Sequence, residues 1–437
     1  MKIAVIGGGS SYTPELIEGF ILRADKLKID EIVLVDIEAG KEKLEIVGGL
    51  AKRMIKKSGL PIKVELTFDR INAITNADFV LTQFRVGGLD ARASDERIPL
   101  EYNVIGQETT GPGGFAKALR TIPVILDICK EIEEYSNDAW LINFTNPAGM
   151  VAEAVHKYSS VKAIGLCNVP INMKQMAANI LEVNRDDVNM SFAGLNHLVY
   201  ATTVHVNGKD AMDPLIDGII EGKNMNMRNI HDAPWEEEFL KALRVLPCPY
   251  HRYYYMMDEM LAEEKEAAGL RGTRAEQVKE IEKALFETYK NPSLDVKPKE
   301  LEERGGSLYS EAAVSLITSI VTNDHALHTV NVPNNGTISQ LPDDAVIEVT
   351  CVVTSEGPKP LQVGKLPAEI IGLIQQVKAF EQLTIEAAAT GDRQKALLAL
   401  VNNPFVPSSK VAKQLLNDIL EANKEYLPQF LVRSEIH

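Results

Sequence analysis

The feature that most constrains this chain lies in its first 36 residues. An apolar run at 3–6 meets three glycines, Gly7, Gly8 and Gly9. A helical stretch then opens at Tyr12 to Leu16, and a second apolar run at 32–35 ends in Asp36. Strand, glycine turn, helix, strand and terminal acid together describe a dinucleotide-binding unit. Glycines let the backbone approach a pyrophosphate, and the helix N-terminus offers it free N–H groups and partial positive charge. Asp36 accepts hydrogen bonds from a ribose diol and repels a 2′-phosphate, which favours NAD over NADP. Tyr12 stands where the pattern has its third glycine, so the helix is expected to stand off or tilt from the strand.

Up to about residue 170, apolar runs alternate with amphipathic helical stretches, and strands are expected at 64–68, 79–84, 140–144 and 162–166. That alternation predicts a doubly wound α/β sheet with right-handed crossovers, whose ligand sits beyond the carboxyl ends of the strands. From about 170 to 205 the alternation predicts antiparallel strands, and 235–320 reads as mostly helical. Strands return at 328–332 and 345–353, and helices close the chain from about 367 to 426. The expected architecture is therefore α/β: a Rossmann-like doubly wound domain over 1–170, followed over 171–437 by a mixed α+β domain.

The formal charge of -15 argues against nucleic acid or an anionic membrane as the principal partner, while leaving room for a local basic pocket. No apolar run reaches the length of a membrane span, and the N-terminal segment lacks the regions of a signal peptide. Cys129, Cys167, Cys248 and Cys351 are too widely spaced for a disulfide framework. A cytoplasmic location is expected.

Polar clusters fall where the strands end. Arg85, Arg92 and Arg97 follow the strand at 79–84; a charged surface loop would look the same, but guanidinium forks also suit a phosphate or carboxylate. Gln107, Glu108 and Thr109 lie in a glycine-rich loop that opens a helix near Gly114. Asn143 and Asn146 flank the next strand end, and Asn146 before Pro147 also reads as a helix N-cap. Cys167 ends the strand AIGLC, and His197 follows thirty residues later in GLNHL. One thiolate, one imidazole and open positions would make a catalytic metal site, although Cys248 and His251 compete for that role and a buried cysteine is often inert. The segment PYHRYYY offers Tyr250, Tyr253, Tyr254 and Tyr255, any one of which could act as a phenolic base beside a cation.

Taken together, GGGSSYTPE (7–15), Asp36, FRVGGLDARASDERIP (84–99), IGQETTGPGGF (105–115), NFTNPAG (143–149), GLCNVP (165–170), GLNHL (194–198), PYHRYYY (249–255), GTRAE (272–276) and RGGSLYS (304–310) resemble glycoside hydrolase family four. Within that family they resemble the members that act on 6-phospho-β-glucosides. The resemblance implies a lactate/malate-dehydrogenase-like architecture and an exception to the two-carboxylate scheme of glycosidases. It implies that NAD+ takes hydride from C3 of the sugar, which acidifies C2. A base then removes the C2 proton with a divalent metal such as Mn2+ stabilising the charge, the aglycone leaves C1, water adds, and the hydride returns. By position it implies Gly7, Gly9, Ser10, Ser11 and Asp36 for the cofactor, and Cys167 and His197 for the metal. It further implies Tyr250 as base and Arg92, Asn146, Asn168 and Arg274 for the substrate, with a homodimer or homotetramer as the assembly. Family members specific for α-linkages carry aspartate where Asn168 stands here; an amide donates no acidic proton, so the donor to the leaving group is open. A net NAD-dependent hydroxyacid or sugar dehydrogenase, and a non-catalytic NAD or sugar-phosphate sensor, share parts of this pattern.

Overall fold

The computed structural model describes residues 1–223, 227, 230–304 and 308–431. Six parallel strands form its first half: β1 (Lys2–Ile6), β2 (Glu31–Val35), β3 (Lys63–Thr67), β4 (Phe79–Thr82), β5 (Trp140–Asn143) and β6 (Lys162–Gly165). They lie in the order β3-β2-β1-β4-β5-β6, the doubly wound arrangement. Period-two alternation sorts their side chains between two faces. Ile3, Val5, Ile32, Leu34 and Leu81 enter one buried cluster. Ala4, Ile6, Val33, Val80 and Leu141 enter the other, with Ile125 and Ile128 of the helix Gly111–Tyr135 and Val151 of the helix Ala148–Tyr158.

The second half does not build a separate sheet. Its strands β7 (Val188–Leu195), β8 (Leu198–Val206), β9 (Lys209–Asp210), β10 (Leu246–Pro247), β11 (Leu327–Pro333), β12 (Val346–Thr354) and β13 (Gly357–Pro360) extend the first sheet past β6. The order continues β6-β11-β12-β7-β8-β10, with β13 beside β12 and β9 beside β8. The junction is narrow: Asn331 of β11 pairs antiparallel with Gly165 of β6. Asn331 Nδ2 also donates to Gly165 O at 3.4 Å and to Glu348 Oε1 at 3.0 Å. A Cβ on Gly165 would sit 2.8 Å from Asn331 Cβ and 3.0 Å from Ala152 Cβ, so only glycine admits this approach.

Several expectations shift. A helix, Val169–Leu181, precedes the antiparallel pair, because the apolar spacing there is helical and the alternation starts only at Val188. The residues after β4 form a helix, Gly88–Glu101, and not a loop; Gly87 and Gly88, both at positive φ, supply the turn into it. The region 235–320 is broken by β10 and by irregular chain around 290–298. Among the described residues no helix is long and apolar enough to cross a membrane. Gly165→Val is expected to lower stability by about 1–3 kcal/mol through overpacking at the junction. A shifted urea midpoint checks this, and an unchanged midpoint would show that the junction yields without cost.

Candidate active site

The glycine turn closes β1. Gly7 adopts φ +85°, and a Cβ there would come within 2.8 Å of Phe84 N. Gly7 and Gly8 both donate N–H to Val35 O, at 2.9 and 2.7 Å. Gly9 N donates to Asp36 Oδ2 at 2.9 Å, and Asp36 Oδ1 accepts from Ile37 N at 2.9 Å. The carboxylate that would meet a ribose is thus fixed at the end of β2 and stays half-exposed. Ser10 Oγ accepts from Tyr12 N at 3.3 Å, whereas the buried Ser11 donates its hydroxyl to Glu282 at 3.1 Å. The helix begins at Thr13, whose hydroxyl donates to Gly8 O at 2.8 Å. Tyr12 stacks on Tyr309, 5.4 Å between centroids, so this ring in the place of the third glycine packs on the second half of the chain.

The carboxyl ends of β4, β5 and β6 deliver the next groups. Asn146 joins Pro147 through a cis bond, and the helix behind them starts at Ala148 with Pro147 at the cap position; Asn146 is therefore one residue too early to be the N-cap. Its Oδ1 accepts from Ala148 N at 3.3 Å. Asn168 is the residue before the helix Val169–Leu181 and is half-buried.

His197 sits in the two-residue turn between β7 and β8 at φ +61°, an uncommon conformation for a residue with a side chain. Its ring lies flat against Tyr250, 3.9 Å between centroids and 4° between planes. Its Nδ1 is buried and has no hydrogen-bond partner among the described residues. Burial first, and the Lys117 ammonium second, push its pKa down to about 3, so the imidazole is neutral and free to ligate. The Cys167 thiol lies against Asn196, the neighbour of His197, and bears on the ionisation of Tyr250. Burial, then the Glu348 carboxyl, push that thiol well above its ordinary range, so a thiolate there needs a cation beside it. A neutral imidazole with an orphaned nitrogen and a buried soft donor fit a divalent transition metal with open positions. Among the described residues no third histidine, cysteine or carboxylate completes a cluster.

The competing residues face elsewhere. Cys248 donates its thiol to His197 O at 3.7 Å, and His251 packs between Tyr200 and Tyr255 with Nδ1 at 3.2 Å from Cys248 O. Of the tyrosines, Tyr255 shares a hydrogen bond with Tyr200 at 2.6 Å and Tyr254 packs on Phe405. Tyr253 lies beyond Tyr250, 6.2 Å between centroids. Tyr250 alone of the four stacks on His197. Burial is the chief reason its phenol is hard to ionise, and the nearby Cys167 sulfur and Glu108 carboxylate act in the same direction; a hydrogen bond with Thr109 works in the opposite sense.

Beneath these groups Glu108 gathers three cations. It pairs with Arg85, with Arg92 Nη1 at 3.0 Å and with Lys117 Nζ at 3.0 Å. Burial opposes its charge, but the three cations outweigh burial and hold its carboxyl well below the usual range. Arg92 also reaches Glu96 at 2.8 Å. Burial and then Arg85 bring Lys117 down to about 7. Arg274 starts the helix Arg274–Tyr289, and its charge is opposed first by burial and then by Arg92 and Arg304. Arg97 is separate: it is exposed and bound to Glu276 at 2.7 Å. Lys117 and Arg304 were not among the expected site residues. The signal for Lys117 was a lone cation in the otherwise apolar start of a helix, GPGGFAKAL.

A dinucleotide turn, a thiol and a neutral imidazole that would suit a metal, and an arginine cluster around one sheet end fit a nucleotide-dependent enzyme with a dehydrogenase-like fold. The sequence model of the family 4 glycosyl hydrolases matches residues 2–183, and that of their C-terminal domain matches 192–406. The chain is 57% identical to a probable 6-phospho-beta-glucosidase of Bacillus subtilis (strain 168), over 100% of this chain and 99% of that one. The structure of the 6-phospho-beta glucosidase of Thermotoga maritima with manganese, NAD+ and glucose-6-phosphate superposes with a TM-score of 0.88 at 39% identity, covering 98% of this chain and 99% of that one. Malate dehydrogenase of Plasmodium falciparum, at 16% identity and a TM-score of 0.56 over 89% of this chain and 98% of that one, shares the fold. The chain belongs to glycosyl hydrolase family 4.

Proposed function

We propose that this protein hydrolyses 6-phospho-β-glucosides to glucose 6-phosphate and the aglycone, using NAD+ and a divalent metal, Mn2+ or a close equivalent. The observation that carries this reading is the stack of Tyr250 on His197 beside Cys167, at the same sheet end as the glycine turn. A redox cofactor, a metal and a phenol make sense together when one sugar carbon is oxidised and its neighbour loses a proton. When bound, the nicotinamide would supply a reversible hydride acceptor for C3, and the metal would supply Lewis-acid stabilisation of the negative charge that develops on the sugar.

The chain's own groups do the rest. Gly7, Gly9, Ser10 and the turn through Ser11 receive the pyrophosphate, and Asp36 the ribose. Cys167 and His197 hold the metal. Tyr250 takes the C2 proton, which the ketone at C3 has acidified; the cation beside it offsets the burial that otherwise keeps the phenol protonated. Loss of that proton expels the aglycone from C1, where its oxygen takes a proton from solvent, and leaves a C1–C2 double bond; water then adds its hydroxyl at C1 and a solvent proton at C2, and return of the hydride to C3 restores the sugar. Arg92 and Arg274 take the 6-phosphate, while Asn146 and Asn168 serve the hydroxyls as carboxamides that donate and accept. The division into a nucleotide domain over 1–170 and a metal, substrate and oligomerisation domain over 171–437 belongs to the same reading. So do a homodimer or homotetramer and a cytoplasmic location.

Hydrolysis in deuterated water is expected to place deuterium at C2 of the glucose 6-phosphate, seen by NMR, and only with β-linked phosphorylated substrates. Product free of deuterium at C2 would defeat the elimination route. Cys167→Ser is expected to weaken Mn2+ activation by at least about tenfold, since metal sites lose that much even from outer-shell changes. A wild-type metal titration would remove Cys167 from the site.

A further inference from the structure

Asn196 is the first residue of the two-residue turn that carries His197, and it is only 9% exposed. Its Oδ1 accepts from Gly149 N at 3.4 Å, one of the N–H groups that the start of the helix Ala148–Tyr158 leaves without a partner inside the helix. The approach is close: a Cβ on Gly149 would stand 2.9 Å from Asn196 Cβ, which only glycine avoids. A backbone N–H can only donate, so the amide turns its oxygen to Gly149 and its nitrogen away. That Nδ2 is buried and has no hydrogen-bond partner among the described residues. The groups it faces are the Cys167 thiol and the Glu348 carboxyl.

A buried donor left unmatched costs stability unless an acceptor meets it. Cys167 Sγ already receives Val169 N at 3.5 Å, from the first residue of the helix Val169–Leu181. Two N–H groups, one from a helix start and one from Asn196, thus face a single sulfur. A thiol is a weak acceptor and gains little from them, whereas a thiolate accepts both as charge-assisted bonds. Nδ2 carries two hydrogens, so one can serve the sulfur while the other serves Glu348, whose Oε2 is also buried and unbonded. Asn196 is therefore tied to both expected metal donors, to His197 through the chain and to Cys167 through space.

We propose that Asn196 is a positioning residue for the metal donors: its oxygen pins the turn that carries His197 to Gly149, and its Nδ2 donates to the sulfur of Cys167 once that sulfur is a thiolate. The inference rests on the metal role proposed above for Cys167 and His197. The test titrates Co2+ without oxygen into wild-type enzyme, Asn196→Ala and Asn196→Asp; Co2+ is the probe because its bond to a thiolate absorbs in the near ultraviolet. A hydrogen bond to the sulfur lowers the energy of its lone pairs, so losing that bond moves the absorption to longer wavelength. Both variants are expected to show this move. Asn196→Ala is also expected to bind Co2+ at least about tenfold more weakly, the scale of a lost outer-shell partner. Asn196→Asp keeps the shape and the acceptor for Gly149 but not the donor, and it carries the comparison alone if Asn196→Ala fails to fold. An absorption left at the wild-type position in Asn196→Asp overturns the proposal and leaves the amide a packing role between Gly149 and Glu348. No such absorption in wild-type enzyme would instead strike the metal role of Cys167, and this inference falls with it.

Discussion

The whole site depends on one backbone contact, the pairing of Asn331 with Gly165. Gly165 is the last residue of the parallel sheet, and Cys167 lies two residues on. By docking there, β11 brings β12, then β7 and β8, into the same sheet, and the turn between β7 and β8 carries His197 back toward Cys167. The contact is bought with a buried polar group: Glu348, pushed up to about 8 chiefly by burial, accepts from Asn331 on the inner side of the junction. Its protonated form suits a structural hydrogen-bonding role.

Charge is the second constraint. The protein is acidic overall, yet Arg85, Arg92, Lys117, Arg274 and Arg304 converge near the sheet's carboxyl end. Glu108 holds three of these cations in place. The same carboxylate and Lys117 bear on the ionisation of Tyr250 and His197 respectively. The groups proposed for substrate recognition and for proton transfer therefore share one buried network, and a change in any member should be felt by the others.

Local pattern made the parallel half legible. The alternation of Ile3, Ala4, Val5 and Ile6 and the acid at Asp36 lie within one βαβ unit, where neighbours in sequence are neighbours in space. Cys167 and His197 were legible as a candidate pair, but Cys248 and His251 carry the same side chains and compete with them in sequence. What separates them is tertiary: Cys248 faces a carbonyl and His251 an aromatic wall. The choice of Tyr250 among four tyrosines also needed the fold, because only packing decides which ring meets His197. Arg97 looked equivalent to Arg92 five residues earlier, yet a helix turns one inward and the other to solvent. The Gly165–Asn331 junction spans 166 residues and leaves no local signature.

The central claim is that sugar-bond cleavage here runs through a temporary oxidation of the glycosyl unit and not through a pair of acids. The most direct measurement is the rate of aglycone release by enzyme freed of all nicotinamide nucleotide, before and after NAD+ is restored, with NADH followed in the same cuvette. The account predicts no release without NAD+, full recovery at catalytic amounts, and no net NADH. Full activity in the nucleotide-free enzyme, or NADH accumulating in step with turnover, would contradict it.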